Sequence, residues 1–191
     1  AGSALSVGSY VGNGTDNRSI TGVGFRPEWV LTMGDGENSF FRPDGLSGDR
    51  SYNVTANNSV ANRIQALEAD GFQLGSHSDV NQNGRTYYYV AFNSTAGVVR
   101  VAGYTGDGAD NRDITGLGLA PDFVWVKSDA GSPSVFRPAS LAGDASLQFN
   151  AAAANNEIQS LLADGFQVGT ANFVNTNGAA YYYLAIEDPG P

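Results

Sequence analysis

Residues 10–22 read YVGNGTDNRSITG, and residues 104–116 read YTGDGADNRDITG, 94 positions further along the chain. The similarity extends outward from this stretch, because residues 7–92 return with substitutions as residues 101–186. A similarity that keeps a period of 94 residues, or 95 in the middle at residues 41–43 and 136–138, over so long a stretch indicates an internal duplication. A functional site that occurs in pairs must therefore lie where the two halves agree, and a single site must lie where they differ.

The composition favours a glycine-rich, acidic, globular chain. It has 191 residues, of which 25 are glycine and 41% are hydrophobic, and polar turn residues separate its short apolar runs. This pattern is typical of many strands joined by turns. The net charge of −9 repels nucleic acids and anionic membranes, so we predict no nucleic-acid partner. No segment is long and apolar enough to span a bilayer, so we also predict no membrane insertion.

Both halves predict the same order of strands. The apolar runs at 29–33 and 123–127 indicate central strands, and the strands predicted at 86–92 and 180–186 close the two halves. Hairpin turns are indicated by Asp-Gly at 70–71 and 164–165 and by Asn-Gly at 83–84 and 177–178.

One segment allows two interpretations. Val60, Ile64 and Leu67 have helical spacing, and the matching residues of the second half have the same spacing. The Asp-Gly turn that follows favours the arm of a hairpin instead. We favour the strand.

The sequence predicts an all-β fold, a β-sandwich of the jelly-roll or lectin-like kind. Two homologous repeats of about 94 residues would pack together with pseudo-twofold symmetry. We place the domains at residues 1–95 and 96–191, with two adjacent antiparallel strands joined by a short turn at 93–97. Because no flexible linker separates the halves, they would be either two closely packed copies or one shared sandwich.

The order of short motifs resembles that of a known tandem repeat. Both halves contain Tyr-x-Gly-x-Gly, Ile-Thr-Gly-x-Gly, Pro-x-x-Val, Asp-Gly-Phe-x-x-Gly and Val-Asn-x-Asn-Gly before a closing aromatic strand. The pattern is similar to a poorly characterised repeat of phage tail-associated proteins and large secreted bacterial surface proteins. This resemblance implies a lectin-like or jelly-roll sandwich outside the cell or on a virion, and it implies no catalytic residues.

Further features favour an extracellular location, on a cell or virion surface. The chain begins Ala1-Gly2-Ser3 without an initiator methionine, as if a leader had been removed. Cysteine is absent, which excludes disulfides and thiolate metal sites but does not decide the compartment. Candidate glycosylation sites in the first half are Asn13, Asn17, Asn53, Asn57 and Asn93.

Residues suited to catalysis are scarce, so we predict that the chain is not an enzyme. The one histidine, His77, aligns with Ala171, and it would have to serve alone in any triad. The five glutamates are scattered and suggest no close carboxylate pair of the kind that glycosidases need.

Two glycine-rich loops, at 12–17 and 106–111, allow calcium binding. Their carboxylate, amide and carbonyl oxygens suit a hard cation, and the candidate carboxylates are Asp16, Asp107, Asp110 and Asp113. The alternative is a turn in which the aspartates accept backbone N–H groups and pair with the nearby arginines. We predict no other cofactor.

The closing strands suggest a carbohydrate platform. If the Val/Phe and Leu/Ile series face the core, the opposite faces carry tyrosines, which can stack on sugar rings beside nearby asparagines. The candidate ligand-binding residues are Tyr87, Tyr89, Asn81 and Asn83, with Tyr181, Tyr183, Asn175 and Asn177 in the second half. The alternative is that these tyrosines are buried with their hydroxyls satisfied.

These observations predict a non-catalytic extracellular structural or adhesive surface protein, such as a self-assembling fibre or filament subunit or a virion-associated component. Its partners would be further copies of itself or surface glycans. The alternative function is a carbohydrate-binding module that uses the tyrosine faces. The Phe-Arg-Pro corners predict a structural pairing of Arg42 with Asp49 and of Arg137 with Asp144.

Overall fold

The computed structural model describes residues 4–55, 58–129, 131–188 and 190. Over these ranges the chain is nearly all β and divides into two compact units, one built mainly from residues up to 93 and the other from residue 94 onward. The predicted all-β fold with two repeats is confirmed. No helix in the described part of the chain has the length and apolar character needed to cross a bilayer.

The described residues of the first repeat form nine strands and one short helix. In chain order they are β1 (Leu5–Val11), β2 (Arg18–Thr21), β3 (Trp29–Gly34), β4 (Phe40–Pro43), β5 (Ser51–Asn53), β6 (Ser59–Val60), β7 (Ile64–Glu68), β8 (Gly71–Leu74), α1 (Ser78–Asn81) and β9 (Thr86–Phe92). A six-stranded antiparallel sheet has the order β1-β9-β3-β4-β5-β6, and a three-stranded sheet has the order β2-β8-β7. The core lies between these two sheets.

The second repeat has the same architecture. Its elements are β10 (Val99–Thr105), β11 (Arg112–Thr115), β12 (Phe123–Ser128), β13 (Val135–Pro138), β14 (Ser146–Gln148), β15 (Ala151–Ala154), β16 (Ile158–Leu162), β17 (Gly165–Val168), α2 (Asn172–Asn175) and β18 (Ala180–Ile186). Its sheets have the orders β10-β18-β12-β13-β14-β15 and β11-β17-β16, with a separate core between them. Each repeat is thus a sandwich with its own interior, which excludes the alternative of one sandwich shared by both halves.

The duplicated motifs explain the tight turns. In the first repeat, the carboxylate of Asp70 accepts from the N–H groups of Gly22 and Gly24 at 3.0 and 2.7 Å. The next residue is Gly71, with φ +153°, where a Cβ atom would lie 1.9 Å from the carbonyl oxygen of Ile20. Only glycine fits so close to a neighbouring backbone. The Asp-Gly turn therefore fixes the end of β2 against β8.

Three local expectations can be compared with the structure. The ambiguous segment forms the strands β7 and β16, as favoured. The Asn-Gly pairs do form turns, but each joins a one-turn helix to a strand and does not join two strands. The strands on either side of the join, β9 and β10, belong to different sheets, so the expected hairpin between them is wrong.

Candidate functional site

The tyrosines proposed as a sugar platform lie in the cores. Tyr87, Tyr89, Tyr181 and Tyr183 are all buried, whereas Tyr88, on the opposite face of β9, is 57% exposed. The prediction therefore inverted the two faces. It assumed that branched aliphatic side chains mark the core, but these sandwiches bury the tyrosine row. The expectation of an open tyrosine platform is wrong.

Backbone groups at the ends of the sandwich stabilise the buried hydroxyls. Tyr181 donates to the carbonyl of Asn172 at 2.8 Å and accepts from the N–H of Thr176 at 2.7 Å. Tyr87 makes the matching bonds to Ser78 and Gln82 in the first repeat. The ring of Tyr10 stacks on that of Tyr87 with 5.3 Å between centroids, and burial raises the pKa of Tyr10. These tyrosines hold the turn around α1 or α2 onto the core.

The two buried asparagines of the predicted site brace the glycine-rich loops. Asn81 accepts from the N–H of Asn13 at 3.0 Å and from the guanidinium of Arg18 at 3.1 Å. Its amide donates to the carbonyls of Thr15 and Gly75 at 2.8 and 2.9 Å. In the second repeat Asn175 does the same for the loop at 106–112. Asn83 and Asn177 are exposed on the neighbouring turns.

The loop aspartates bind donors of the protein itself. Asp107 accepts from the N–H of Ala109 at 2.9 Å and pairs with Arg112 at 3.2 Å, and the hydrogen bond from Ala109 lowers its pKa. The side-chain amides of Gln65, Gln159 and Gln167 donate to Asp16, Asp110 and Asp113 respectively. Within the described ranges, no three acidic or histidine side chains form a group that could hold a metal ion. In the second repeat Asp107 forms the kind of turn given as the alternative to calcium. In the first repeat the hydrogen bonds to Asp16 come from the side-chain amides of Asn17 and Gln65.

The candidate glycosylation sites differ in accessibility. Asn13 and Asn17 lie exposed on the first glycine-rich loop, while Asn53 and Asn93 are half-buried. Asn57 lies outside the described residues.

His77 belongs to a polar cluster that the sequence did not reveal. Its Nε2 lies 2.9 Å from a guanidinium nitrogen of Arg63, and its Nδ1 lies 3.0 Å from a carboxylate oxygen of Asp79. Arg63 also pairs with the buried Asp79 at 3.2 Å. In the second repeat, Arg63 is matched by Glu157 and Asp79 by Phe173. That both positions differ between the halves was the sequence signal that could have revealed the cluster.

The corner arginines bind carbonyls. Arg42 donates to the carbonyl oxygens of Leu46 and Gly48 at 2.7 and 2.9 Å, and also to that of Arg50. Arg137 donates in the same way to Leu141, Gly143 and Ala145. Asp49 and Asp144, the predicted partners, accept from the N–H groups of Asn62 and Asn156. Each arginine thus supports the loop after its corner from inside.

A cleft lies beside each arginine corner, and the sequence did not predict it. The cleft of the first repeat has a volume of about 330 Å³ and lies between residues 42–46 and 66–67, with Arg26 at its rim. The cleft of the second repeat has about 430 Å³ and lies between residues 137–139 and 160–163, with 120–122 at its rim. The clefts occupy matching positions, and a volume of this order suits a small ligand.

The mouths of the two clefts differ at two residues. In the first repeat, Arg26 and Asp44 form an ion pair across the mouth, with 2.9 Å between nitrogen and oxygen. The matching residues in the second repeat are Ala120 and Ala139. The second cleft has no such pair at these positions and is the larger of the two.

Comparison with known sequences finds one family twice in the chain, described as "Domain of unknown function (DUF7483)", at residues 5–103 and 97–186. The chain belongs to this family. Each DUF7483 match covers one of the two sandwiches, so a single sandwich with its glycine-rich loop and arginine corner corresponds to one family unit. No curated protein and no solved structure shows a significant match to the chain.

Proposed function

We propose that this chain is a non-catalytic, extracellular structural or adhesive surface component that associates with further copies of itself through an open sheet edge of the first repeat. The observation that carries the proposal is a row of exposed apolar side chains on β1. Leu5 is 48% exposed, Val7 68% and Val11 54%, and Tyr88 on the neighbouring strand β9 extends the row. Contiguous exposed apolar surface of this kind marks association sites.

The position of the row within the sheet supports association by strand pairing. β1 pairs with β9 and is the last strand of the six-stranded sheet. An edge strand presents N–H and C=O groups that can pair with a strand of another chain. A long apolar edge of this type is normally protected by charges, prolines or bulges, and β1 contains neither a charged residue nor a proline.

The second repeat shows the same edge in a protected state. Val99 and Val101, which match Leu5 and Val7, are buried. The hydroxyl of Ser94 accepts from the N–H of Val101 at 3.0 Å, and Thr95 forms a bridge with Val99. Because the two repeats share one register, the N–H of Val7 also points away from β9. In the proposed assembly this N–H would donate to a carbonyl of a second copy.

The environment of His77 supports a role without catalysis. A guanidinium only donates hydrogen bonds, so Nε2 of His77 must accept from Arg63. The nitrogen that would act as a general base is therefore engaged, and Asp79 is held by the same arginine. Among the other nominated residues, the buried tyrosines and Asn81 and Asn175 support turns and loops.

Sedimentation velocity over a range of concentrations tests the proposal. We expect Val7→Lys to weaken self-association at least tenfold, because it places a charge in the apolar row, while Thr21→Lys, on an exposed position of β2, leaves it unchanged. Both variants reduce the negative charge equally, so a purely electrostatic effect would strengthen association in both. A wild-type chain that stays monomeric at high concentration, or equal behaviour of the two variants, would contradict the proposal.

A further inference from the structure

The two clefts are copies of the same site, and they can be compared because an ion pair lies across the mouth of the first but not at the matching positions of the second. Arg42 and Arg137 lie at matching positions in the clefts and are both buried. Glu28 and Asp122 occupy matching positions as well, one residue after a proline. The buried arginine thus lines both clefts, and Asp122 lines the second. Glu28 is not among the residues that line the first cleft, but its charge acts on Arg26. The pair at the mouth is found only in the first cleft.

In the first repeat, the Arg26–Asp44 pair places a negative charge near Arg42 and a positive charge near Glu28. The hydrogen bond from Arg26 lowers the pKa of Asp44, and the positive charge of Arg42 contributes to the same shift. The hydrogen bond to Asp44 raises the pKa of Arg26, and the negative charge of Glu28 contributes. The carboxylate of Asp44 therefore interacts favourably with the buried arginine, and the guanidinium of Arg26 with the acidic residue.

In the second repeat, Arg137 and Asp122 have no such ion pair beside them, because the matching positions are Ala120 and Ala139. Burial lowers the pKa of Arg137, against the smaller opposing effect of the Asp144 charge. Among the described residues its Nε has no hydrogen-bond partner. Asp122 is exposed at the rim, and one of its oxygens accepts from the N–H of Asp188 at 2.8 Å. Ala120 and Ala139 leave room between these groups.

We propose that the cleft of the second repeat binds a small zwitterion of the amino-acid class. Its carboxylate would occupy the place that Asp44 has in the first repeat, near Arg137, and its cationic group would occupy the place of Arg26, near Asp122. Pro121 and Leu161 supply apolar wall beside it. A zwitterion has no net charge, so the net charge of −9 does not repel it as it repels a simple anion.

Titration of the ¹⁵N-labelled chain with glycine, β-alanine and 4-aminobutyrate tests this site. We expect saturable shifts at the amides of Ala139 and Ser160 with at least one of these probes, at millimolar affinity. Sodium acetate and guanidinium chloride, which carry only one of the two charges each, should bind at least tenfold more weakly. Absence of saturation with every probe up to ~50 mM would overturn the proposal, since it means a binding free energy weaker than about 2 kcal/mol.

Two reciprocal variants make the result specific to the mouth of the cleft. Ala120→Arg combined with Ala139→Asp rebuilds the ion pair and should abolish binding. Arg26→Ala combined with Asp44→Ala opens the first cleft and should add a second set of shifts at Ala66 and Leu67. All four positions are at the surface, so both variants should retain a folded spectrum. Shifts that persist in the closed variant, or an opened variant without a second site, would also overturn the proposal.

Discussion

Gln148 donates through Nε2 to Oε1 of Glu157 across 2.6 Å, and this carboxylate is buried in the second repeat. Its other oxygen has no hydrogen-bond partner among the described residues. Burial raises the pKa of Glu157 from 4.5 to about 7, against the smaller effect of the bond from Gln148. A carboxyl whose pKa is higher in the folded state binds its proton more tightly there, so it destabilises the fold once it must ionise.

We therefore predict that the stability of the second repeat falls as the pH rises from about 4.5 to about 7. Glu157→Gln, which stays neutral, should raise the free energy of unfolding at pH 8 by up to about 3 kcal/mol and give no such gain at pH 4. Urea unfolding followed by Trp125 fluorescence in a Trp29→Phe background measures this repeat alone. An equal effect of the substitution at both pH values would show that the proton is not involved.

The Arg63–Asp79 pair of the first repeat gives a second prediction. Asp79 is nearly fully buried, so its removal leaves the guanidinium of Arg63 without its main charge partner. Asp79→Ala should cost about 3 kcal/mol, and the same change in an Arg63→Ala background should cost at least about 1 kcal/mol less. Unfolding followed by Trp29 fluorescence in a Trp125→Phe background measures both. Strict additivity of the two substitutions would mean that the pair has no energetic coupling.

A third prediction concerns the asparagines at the glycine-rich loop. Asn81→Ala removes a buried side chain with four hydrogen bonds and should destabilise the first repeat by about 3 kcal/mol and speed proteolysis of residues 12–18. Asn83→Ala, two residues away and exposed, serves as the control and should change stability by less than about 0.5 kcal/mol. Comparable losses in the two variants would contradict the structural role of Asn81.

The assignment of the tyrosine faces gives a fourth prediction. Tyr87→Ala should cost about 4 kcal/mol, because it leaves a cavity beside Tyr10 and removes the bond to Ser78. Tyr88→Ala, on the exposed face, should cost less than about 1 kcal/mol. Thermal and urea unfolding of both variants compare the two faces directly. A larger loss for Tyr88→Ala would restore the orientation that the sequence suggested.

Much of the strand order could be predicted from the sequence, because turn residues and apolar runs are local signals. The Asp-Gly turn before β8, for example, correctly outweighed the helical spacing of Val60, Ile64 and Leu67. The faces could not be assigned in the same way. A tyrosine can be buried when a backbone acceptor lies within reach of its hydroxyl, and the carbonyl of Asn172 reaches Tyr181 only through the fold.

The clefts likewise could not be predicted from the sequence. Aligned halves reveal that Arg26 and Asp44 are both replaced by alanine in the second copy. Nothing in the spacing of these residues, 18 positions apart, indicates that they meet. The polar cluster of Arg63, His77 and Asp79 is of the same kind, because its members lie just before β7 and at the start of α1 and come together only when the sandwich closes.

The central claim, that copies associate through the β1 edge, is tested most directly by hydrogen exchange as a function of protein concentration. We predict that the amide of Val7 exchanges rapidly in dilute solution and becomes protected as association proceeds, while amides of β2 do not change. Assemblies that form while Val7 stays unprotected would contradict the claim.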